Sequence, residues 1–117
     1  MSVEETQRTI TAYFEAMEDG RLAQFLAEDA TWTTAQSGAV VNGAPAVQAA
    51  IHGLHQRMHD LRPGTMVVAD GAVYLEGDCA LSAQDADQRI PWCLAYDVQG
   101  DRVTAIRAYG QIAAFMP

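Results

Sequence analysis

The sequence predicts an α+β domain in which helices come first and an antiparallel run of strands follows. Residues 4–18 place apolar side chains at helical spacing, and Pro45 opens a second long helical segment. After position 64 the chain breaks into short β-branched and aromatic runs, separated by turns that contain Gly and Asp. We therefore expect one domain over residues 1–117, with about three helices packed on a strongly curved, mainly antiparallel sheet.

The first helix has a start signal, an apolar face and a stop signal. Ser2 is placed to cap it, and Glu4 and Glu5 follow in the first turn, where the helix dipole favours negative charge. Asp19 and Gly20 end it. The apolar face consists of Ile10, Tyr13, Phe14 and Met17.

The middle of the chain predicts two more helices around one strand. A short helix covers residues 21–27, and a third helix runs from Pro45 to about His59. Residues 30–35 between them are β-branched and aromatic, which is typical of a strand, and residues 36–43 form a turn-rich crossover.

The second half predicts the strands of the meander and leaves one register open. The expected strands are residues 65–69, 73–75, 78–83, 90–98 and 102–112. A four-residue turn at residues 85–88 puts Cys79 opposite Leu94, whereas a three-residue turn puts it opposite Cys93. Both registers are compatible with the sequence.

Charge and composition disfavour several classes of function. The chain has 15 acidic and 7 basic residues, a net charge of −8, and no lysine. Such a chain repels polyanions, so neither nucleic acid nor an anionic membrane is an expected partner, and lysine Schiff-base chemistry is excluded. Cys79 and Cys93 lack metal-ligand spacing, and the acidic N-terminal residues are unlike a signal peptide. The expected location is the cytoplasm, with both thiols reduced.

Several segments resemble one known superfamily. They are Tyr13-Phe-Glu-Ala-Met-Glu-Asp-Gly20, Glu28-Asp-Ala-Thr-Trp32, Asn42-Gly43 before a helix, and the closing Gly100-Asp-Arg-Val and Arg107-Ala-Tyr-Gly110. With these segments the chain resembles the nuclear transport factor 2-like superfamily, which includes ketosteroid isomerases, limonene epoxide hydrolases and SnoaL-type polyketide cyclases. The resemblance implies a cone-shaped, cystatin-like sheet wrapped around the helices, with a small, mostly apolar pocket between them.

The resemblance assigns one catalytic role and leaves others unfilled. Tyr13 falls where ketosteroid isomerases place the tyrosine that donates to the developing oxyanion; alternatively, it is a core residue with its hydroxyl at the edge. The isomerase base falls near Thr34 and the second, protonated acid near Leu94, and neither residue can take those roles. In the epoxide hydrolases an acid follows the arginine of the last strand, but here Ala108 follows Arg107.

Strand alternation divides the remaining candidates between the pocket and the outer face of the sheet. Arg107, Tyr109 and Gln111 face outward, where relatives often dimerise, so we expect a homodimer through that face. The expected substrate-binding residues face inward: Trp32, Thr34, Cys79, Trp92, Leu94, Tyr96 and Ala108.

The three histidines of the third helix do not predict a metal site. Helical geometry puts His55 roughly 60–80° from the centre of the apolar face, and His52 and His59 beyond roughly 100°. No Asp, Glu or Cys motif completes a ligand set, so we expect neither a metal nor a cofactor. His55 is the candidate general base; its alternative role is to cover the flank of the helix.

Together these features predict a small, cofactor-independent enzyme, of isomerase, cyclase or hydrolase type, that acts on a small hydrophobic carbonyl or epoxide compound. In this interpretation Tyr13 donates to the oxyanion and His55 is the base. The alternative is a protein of the same fold that binds a small hydrophobic ligand without chemistry, an interpretation that the missing acids favour.

Overall fold

The structure is a computed structural model, and it describes residues 1–115 apart from the side chains of Ala86, Ala113 and Ala114. Within this part the chain forms two α-helices, α1 (Val3–Glu18) and α2 (Ala44–Arg57), and six strands. The strands are β1 (Leu26–Thr34), β2 (Ala39–Asn42), β3 (His59–Ala69), β4 (Ala72–Ser82), β5 (Asp85–Gln99) and β6 (Arg102–Gly110). Two short 3-10 segments, Leu22–Phe25 and Gln111–Phe115, complete it.

The strands make one sheet in the order β2-β1-β6-β5-β4-β3. Only β1 and β6 are parallel among its neighbouring pairs in residues 1–115; the other pairs are antiparallel. Register shifts interrupt four of the five pairings, and such bulges bend a sheet. The predicted α+β class, with helices on a curved sheet, is confirmed.

Helix α1 begins where the sequence predicts and is anchored by a pair of buried threonines. The Glu5 backbone N–H donates to Ser2 Oγ over 3.1 Å, so Ser2 is the N-cap. Thr9 Oγ1 donates to the Gly100 carbonyl oxygen over 3.0 Å, and Thr6 Oγ1 accepts from the Gly71 N–H over 2.9 Å. The two contacts tie one helix face to the β5–β6 and β3–β4 turns, which orients Tyr13 over the sheet.

Two predictions in the middle of the chain are wrong in detail. The expected second helix is only the 3-10 segment Leu22–Phe25, because β1 already begins at Leu26, which pairs with Val103 of β6. The expected crossover contains strand β2, whose residues pair with β1 from Thr34 opposite Ala39 to Thr31 opposite Asn42. Long-range pairing, rather than local propensity, decides both segments.

The meander also differs from the sequence expectation. Strand β3 begins at His59, six residues before the expected start, and it contains Pro63; an edge strand tolerates proline because one row of its N–H groups has no partner strand. Strand β4 runs without a break, and the β4–β5 turn lies at residues 83–84 rather than 85–88. The register also shifts between Ala80 and Ser82, so Cys79 pairs with Ile90, in neither of the two expected registers.

The inner face of the sheet and the helices enclose the hydrophobic core. One cross-strand row on this face joins Val73, Tyr96, Ile106 and Trp32, all of which are buried. The alternate residues of the strands, which include Arg107 and Tyr109, face outward, as the alternation predicts. Among residues 1–115, no helical segment combines the length and apolar character that a bilayer crossing requires.

Candidate functional site

A cavity of about 270 Å³ lies between α1, α2 and the inner face of the sheet. Its wall is mostly apolar, and no arginine contributes to it. The lining residues are Tyr13, Phe14, Met17, Glu18, Trp32, Ile51, Leu54, His55, Met58, Leu61, Pro63, Leu75, Trp92, Leu94, Tyr96 and Ile112.

The structure divides the candidate residues into two groups. Tyr13, His55, Trp32, Trp92, Leu94 and Tyr96 lie in the cavity wall. Thr34, Cys79 and Ala108 are buried but lie outside that wall. Cys79 faces inward on β4 beyond the cavity, next to Ile90, and burial raises the pKa of its thiol, so it is a poor nucleophile.

Two tyrosines form the polar end of the cavity. Tyr13 of α1 and Tyr96 of β5 are 1% and 2% exposed, and their rings meet edge to face with centroids 5.6 Å apart. Phe14 packs against both rings, at 5.4 and 5.8 Å. Neither hydroxyl has a hydrogen-bond partner in the described part of the chain, and neither is fully enclosed by protein. Both can therefore donate into the cavity.

The protonation state of these tyrosines suits a donor role. Burial, with a smaller effect of Tyr96, raises the pKa of Tyr13 well above its ordinary value of 10.0. Burial, followed by the effect of Cys93, also raises the pKa of Tyr96. Both phenols remain neutral and protonated at neutral pH, which is the state that donates to a developing oxyanion.

The two tryptophans shape the wall in different ways. Trp32 Nε1 donates to Thr34 Oγ1 over 3.1 Å, so the buried threonine, although outside the wall, orients the indole that lines it. Trp92 Nε1 is the one buried side-chain nitrogen or oxygen without a hydrogen-bond partner among those that the structure describes. Its ring occupies space that Gly77 leaves open on β4, where a Cβ would lie 2.6 Å from Trp92 Cζ2.

The mouth of the cavity carries a base and an acid. His55 of α2 is exposed there, and partial burial of its ring, then the neighbouring His52, lowers its pKa from 6.5. Glu18, the last residue of α1, also lines the cavity, although it is not among the candidate residues that the sequence predicts. Helical spacing contains a signal for Glu18, because it lies four residues after Phe14 and therefore on the same flank.

The side chain of Arg89 fixes the start of β3, the strand that contributes Leu61 and Pro63 to the cavity wall. Asp60 has a φ of +45°, a left-handed conformation that few side chains tolerate. Arg89 of β5 donates through Nη1 to the Asp60 carboxylate over 2.9 Å and through Nη2 to the Asp60 carbonyl oxygen over 2.8 Å, and its Nε bonds Asp78 over 2.8 Å. Three strands are thereby joined at the point where Leu61 and Pro63 reach the cavity.

The arrangement determines what chemistry the cavity can support. Its inner end has two neutral donors, its mouth has a histidine that is neutral at pH 7, and its walls are mostly apolar. These are the components of acid–base chemistry on a polarised neutral molecule. The residues that the structure describes contain no group of three or more His, Cys, Asp or Glu placed to hold a metal ion.

Comparison with solved structures shows the fold. The structure is similar to a steroid delta-isomerase from Pseudomonas aeruginosa, with a TM-score of 0.78 and 15% identity over 95% of this chain and 85% of that one. An NTF2-like protein from Burkholderia xenovorans has a TM-score of 0.71 and 21% identity, covering 98% of this chain and 95% of that one. A protein of ketosteroid isomerase-like fold from Catenulispora acidiphila, in complex with trimethylamine, has a TM-score of 0.67 and 16% identity, covering 94% and 90%.

Comparison of the sequence shows the family. No curated protein matches this chain. Residues 10–106, which include the second half of α1, all of α2 and most of the sheet, match the SnoaL-like domain family. The family match and the shared fold agree with the resemblance of the sequence segments, and the chain therefore belongs to the SnoaL-like domain family, within the nuclear transport factor 2-like superfamily.

Proposed function

We propose that this protein is a cofactor-independent enzyme that moves a proton on a small hydrophobic carbonyl compound. Isomerisation, or an aldol-type cyclisation, follows from such a step. The pair of unpartnered hydroxyls at the inner end of the cavity, Tyr13 and Tyr96, is the observation that carries the proposal. Both residues are almost fully buried, neither hydroxyl has a hydrogen-bond partner among the residues that the structure describes, and both residues line one small cavity.

In the proposed reaction the substrate carbonyl oxygen accepts hydrogen bonds from Tyr13 and Tyr96. His55 removes a proton from the carbon next to the carbonyl, and the electron pair of that C–H bond moves onto the oxygen as an enolate. The two phenols stabilise the new negative charge in a site of low polarity. The proton then returns from the imidazolium to a carbon of the enolate, which completes an isomerisation without loss of any atom.

The cavity volume limits the substrate. The cavity volume of about 270 Å³ lies below the ~300–1,000 Å³ of most drug-sized sites. A molecule of one ring with a short substituent fits this space, whereas a steroid requires more. We therefore propose a monocyclic ketone or enone as the substrate class.

We also propose that the protein acts in the cytoplasm, since Cys79 and Cys93 are both free thiols.

Deuterium exchange tests the proposal without knowledge of the natural substrate. The protein is incubated in D₂O with monocyclic ketones and enones, and deuterium incorporation next to the carbonyl is followed by NMR. We expect faster exchange than in buffer for at least one compound. Tyr13→Phe and Tyr96→Phe should each lower the rate by about 10²-fold, the scale of one lost oxyanion donor.

The matched control is Tyr109→Phe, because Tyr109 lies on the outer face of the sheet. It should leave the exchange rate unchanged. Melting temperatures of Tyr13→Phe and Tyr96→Phe should stay close to that of the wild type, since neither hydroxyl has a partner in the described structure. A rate that is insensitive to both inner substitutions rules out the proposed donor pair.

The second candidate function is small-molecule binding without catalysis. It is favoured by the absence of the family acids at Thr34 and Leu94, and the trimethylamine complex of the Catenulispora protein is a precedent for small-molecule binding in this fold. Ketones that bind but exchange no faster than in buffer establish this alternative.

A further inference from the structure

The mouth of the cavity contains an acid in an unusual place. Glu18 is the last residue of α1 and lines the cavity, and the last turn of this helix has no basic residue. The carbonyl end of a helix is its negative end, where an acidic side chain is unfavourable. A sequence that breaks a local rule without structural gain often does so at a functional site.

The charge of Glu18 is also unpaired. Within the part of the chain that the structure describes, it makes no hydrogen bond or ion pair. Asp19 pairs with Arg21 over 2.8 Å, and Asp60 pairs with Arg62 over 2.7 Å. Glu15 and Arg57 have no ion pair in the described part of the chain, but both lie outside the cavity wall. The charge of the wall itself is therefore negative, and the net charge of −8 adds to it.

The inner end of the same cavity favours an uncharged part of the ligand. Tyr13 and Tyr96 are almost fully buried, and their unpartnered hydroxyls open onto the cavity. This end of the cavity can bind a neutral group that accepts hydrogen bonds. It disfavours an anion, because no arginine or lysine lines the cavity and removing a charge from water is costly. The cavity is thus polarised along its length.

From this polarity we propose that the ligand is a small amino-ketone, with a carbonyl at its inner end and a protonated amine at the mouth beside Glu18. The inference rests on the proposed function and specifies its substrate class. The amine pairs with Glu18 at the rim, where both groups keep part of their hydration. Carboxylate-bearing analogues are rejected by the same charge.

Three acetophenones of matched shape test the proposal. Their para substituents are methyl, aminomethyl and carboxylate, and binding is followed by the fluorescence of Trp32 and Trp92, both in the cavity wall. At low salt we expect the aminomethyl compound to bind about two- to fivefold more tightly than the methyl compound, the scale of a solvent-exposed ion pair. The carboxylate should bind more weakly than either.

Glu18→Gln should remove the difference between the aminomethyl and methyl affinities. Glu15→Gln is the matched control, since Glu15 is an exposed acid on α1 outside the cavity wall. Glu18→Gln removes an acid from the negative helix end, so a melting temperature at or above that of the wild type verifies its fold.

The outcomes separate this inference from the proposed function. Equal affinities for the three compounds, or a preference that survives Glu18→Gln, overturn the inference, while deuterium exchange of the methyl compound still supports the enzyme. Amine preference without exchange supports the inference and overturns the enzyme. If none of the three compounds binds, the inference is wrong.

Discussion

Thr34 shows how one buried hydroxyl holds a cavity wall in place. It accepts the Trp32 Nε1 hydrogen bond at 3.1 Å, and both side chains are almost fully buried. Thr34→Val keeps the shape but leaves the indole N–H without an acceptor, so we expect a loss of about 1–3 kcal/mol in the free energy of unfolding. Urea denaturation measures it. Thr33→Val, on the other face of the same strand, should stay within about 0.5 kcal/mol; equal losses in both contradict the assignment.

The pH dependence of the proposed reaction follows from the surroundings of His55. A histidine with the ordinary value loses its base form below about pH 6.5. Partial burial, and then His52, lowers the pKa of His55, so the neutral base persists to lower pH. We expect the acidic limb of the deuterium-exchange rate to have its midpoint below 6.5. His52→Gln should move it upward by removing the second cause, and a midpoint above 6.5 in the wild type excludes His55 as the base.

At the scale of the strands, Gly77 decides where Trp92 lies. A Cβ at this position would meet Trp92 Cζ2 at 2.6 Å and the Arg62 carbonyl oxygen at 2.5 Å. Gly77→Ala therefore has to displace either the indole or the β3–β4 pairing, and we expect a loss of about 1–3 kcal/mol together with weaker ligand binding. Chemical denaturation and tryptophan fluorescence titration measure the two effects.

The matched control for this strand position is a helical glycine. At Gly53 of α2 a Cβ would meet only the flexible end of the Arg57 side chain, at 3.0 Å. Gly53→Ala should stabilise the protein by up to about 1 kcal/mol, because alanine favours the helix. If Gly77→Ala lowers the free energy of unfolding no more than Gly53→Ala does, the close approach to β4 does not hold Trp92 in place.

At the scale of the whole molecule, the outer face of the sheet is suited to a second copy of this chain. One cross-strand row on this face runs Val67, Tyr74, Ala95, Arg107, Thr33 and Val40. Val67, Tyr74 and Val40 are 54%, 46% and 51% exposed. Arg107 bonds Asp97 on the neighbouring strand over 2.8 and 3.1 Å, so these two charges of the face compensate each other in a chain of net charge −8. Two such faces can meet by two-fold symmetry without the repulsion that the rest of the surface imposes.

We therefore expect a homodimer at micromolar concentration, measured by light scattering. Tyr74→Glu should convert it to a monomer, since the new charge lies in the apolar row. Leu81→Glu, the same charge placed on an exposed leucine at the end of β4, should remain dimeric. A wild-type monomer, or a dimer that both substitutions leave intact, is the result that rejects this interface.

The sequence by itself determined the features that depend on neighbouring residues. Ser2, Tyr13 and Met17 specify where α1 begins and which face it buries, because capping and helical spacing act within a few residues. The alternation of Trp92 and Tyr96 against Cys93 specifies the inner face of β5 in the same way, since successive strand residues point to opposite faces. These local rules were sufficient for the α+β class and for most of the aromatic cavity wall.

The tertiary structure alone decided the features that depend on distant partners. Strand β2 exists because residues 39–42 pair with β1. Cys79 lies opposite Ile90 because the β4–β5 turn has two residues, rather than three or four, and because the register shifts between Ala80 and Ser82. Glu18 becomes part of the cavity mouth only when the end of α1 is set against α2 and the sheet. A register or a cavity depends on the summed energy of contacts between segments far apart in the chain, and no local pattern encodes that sum.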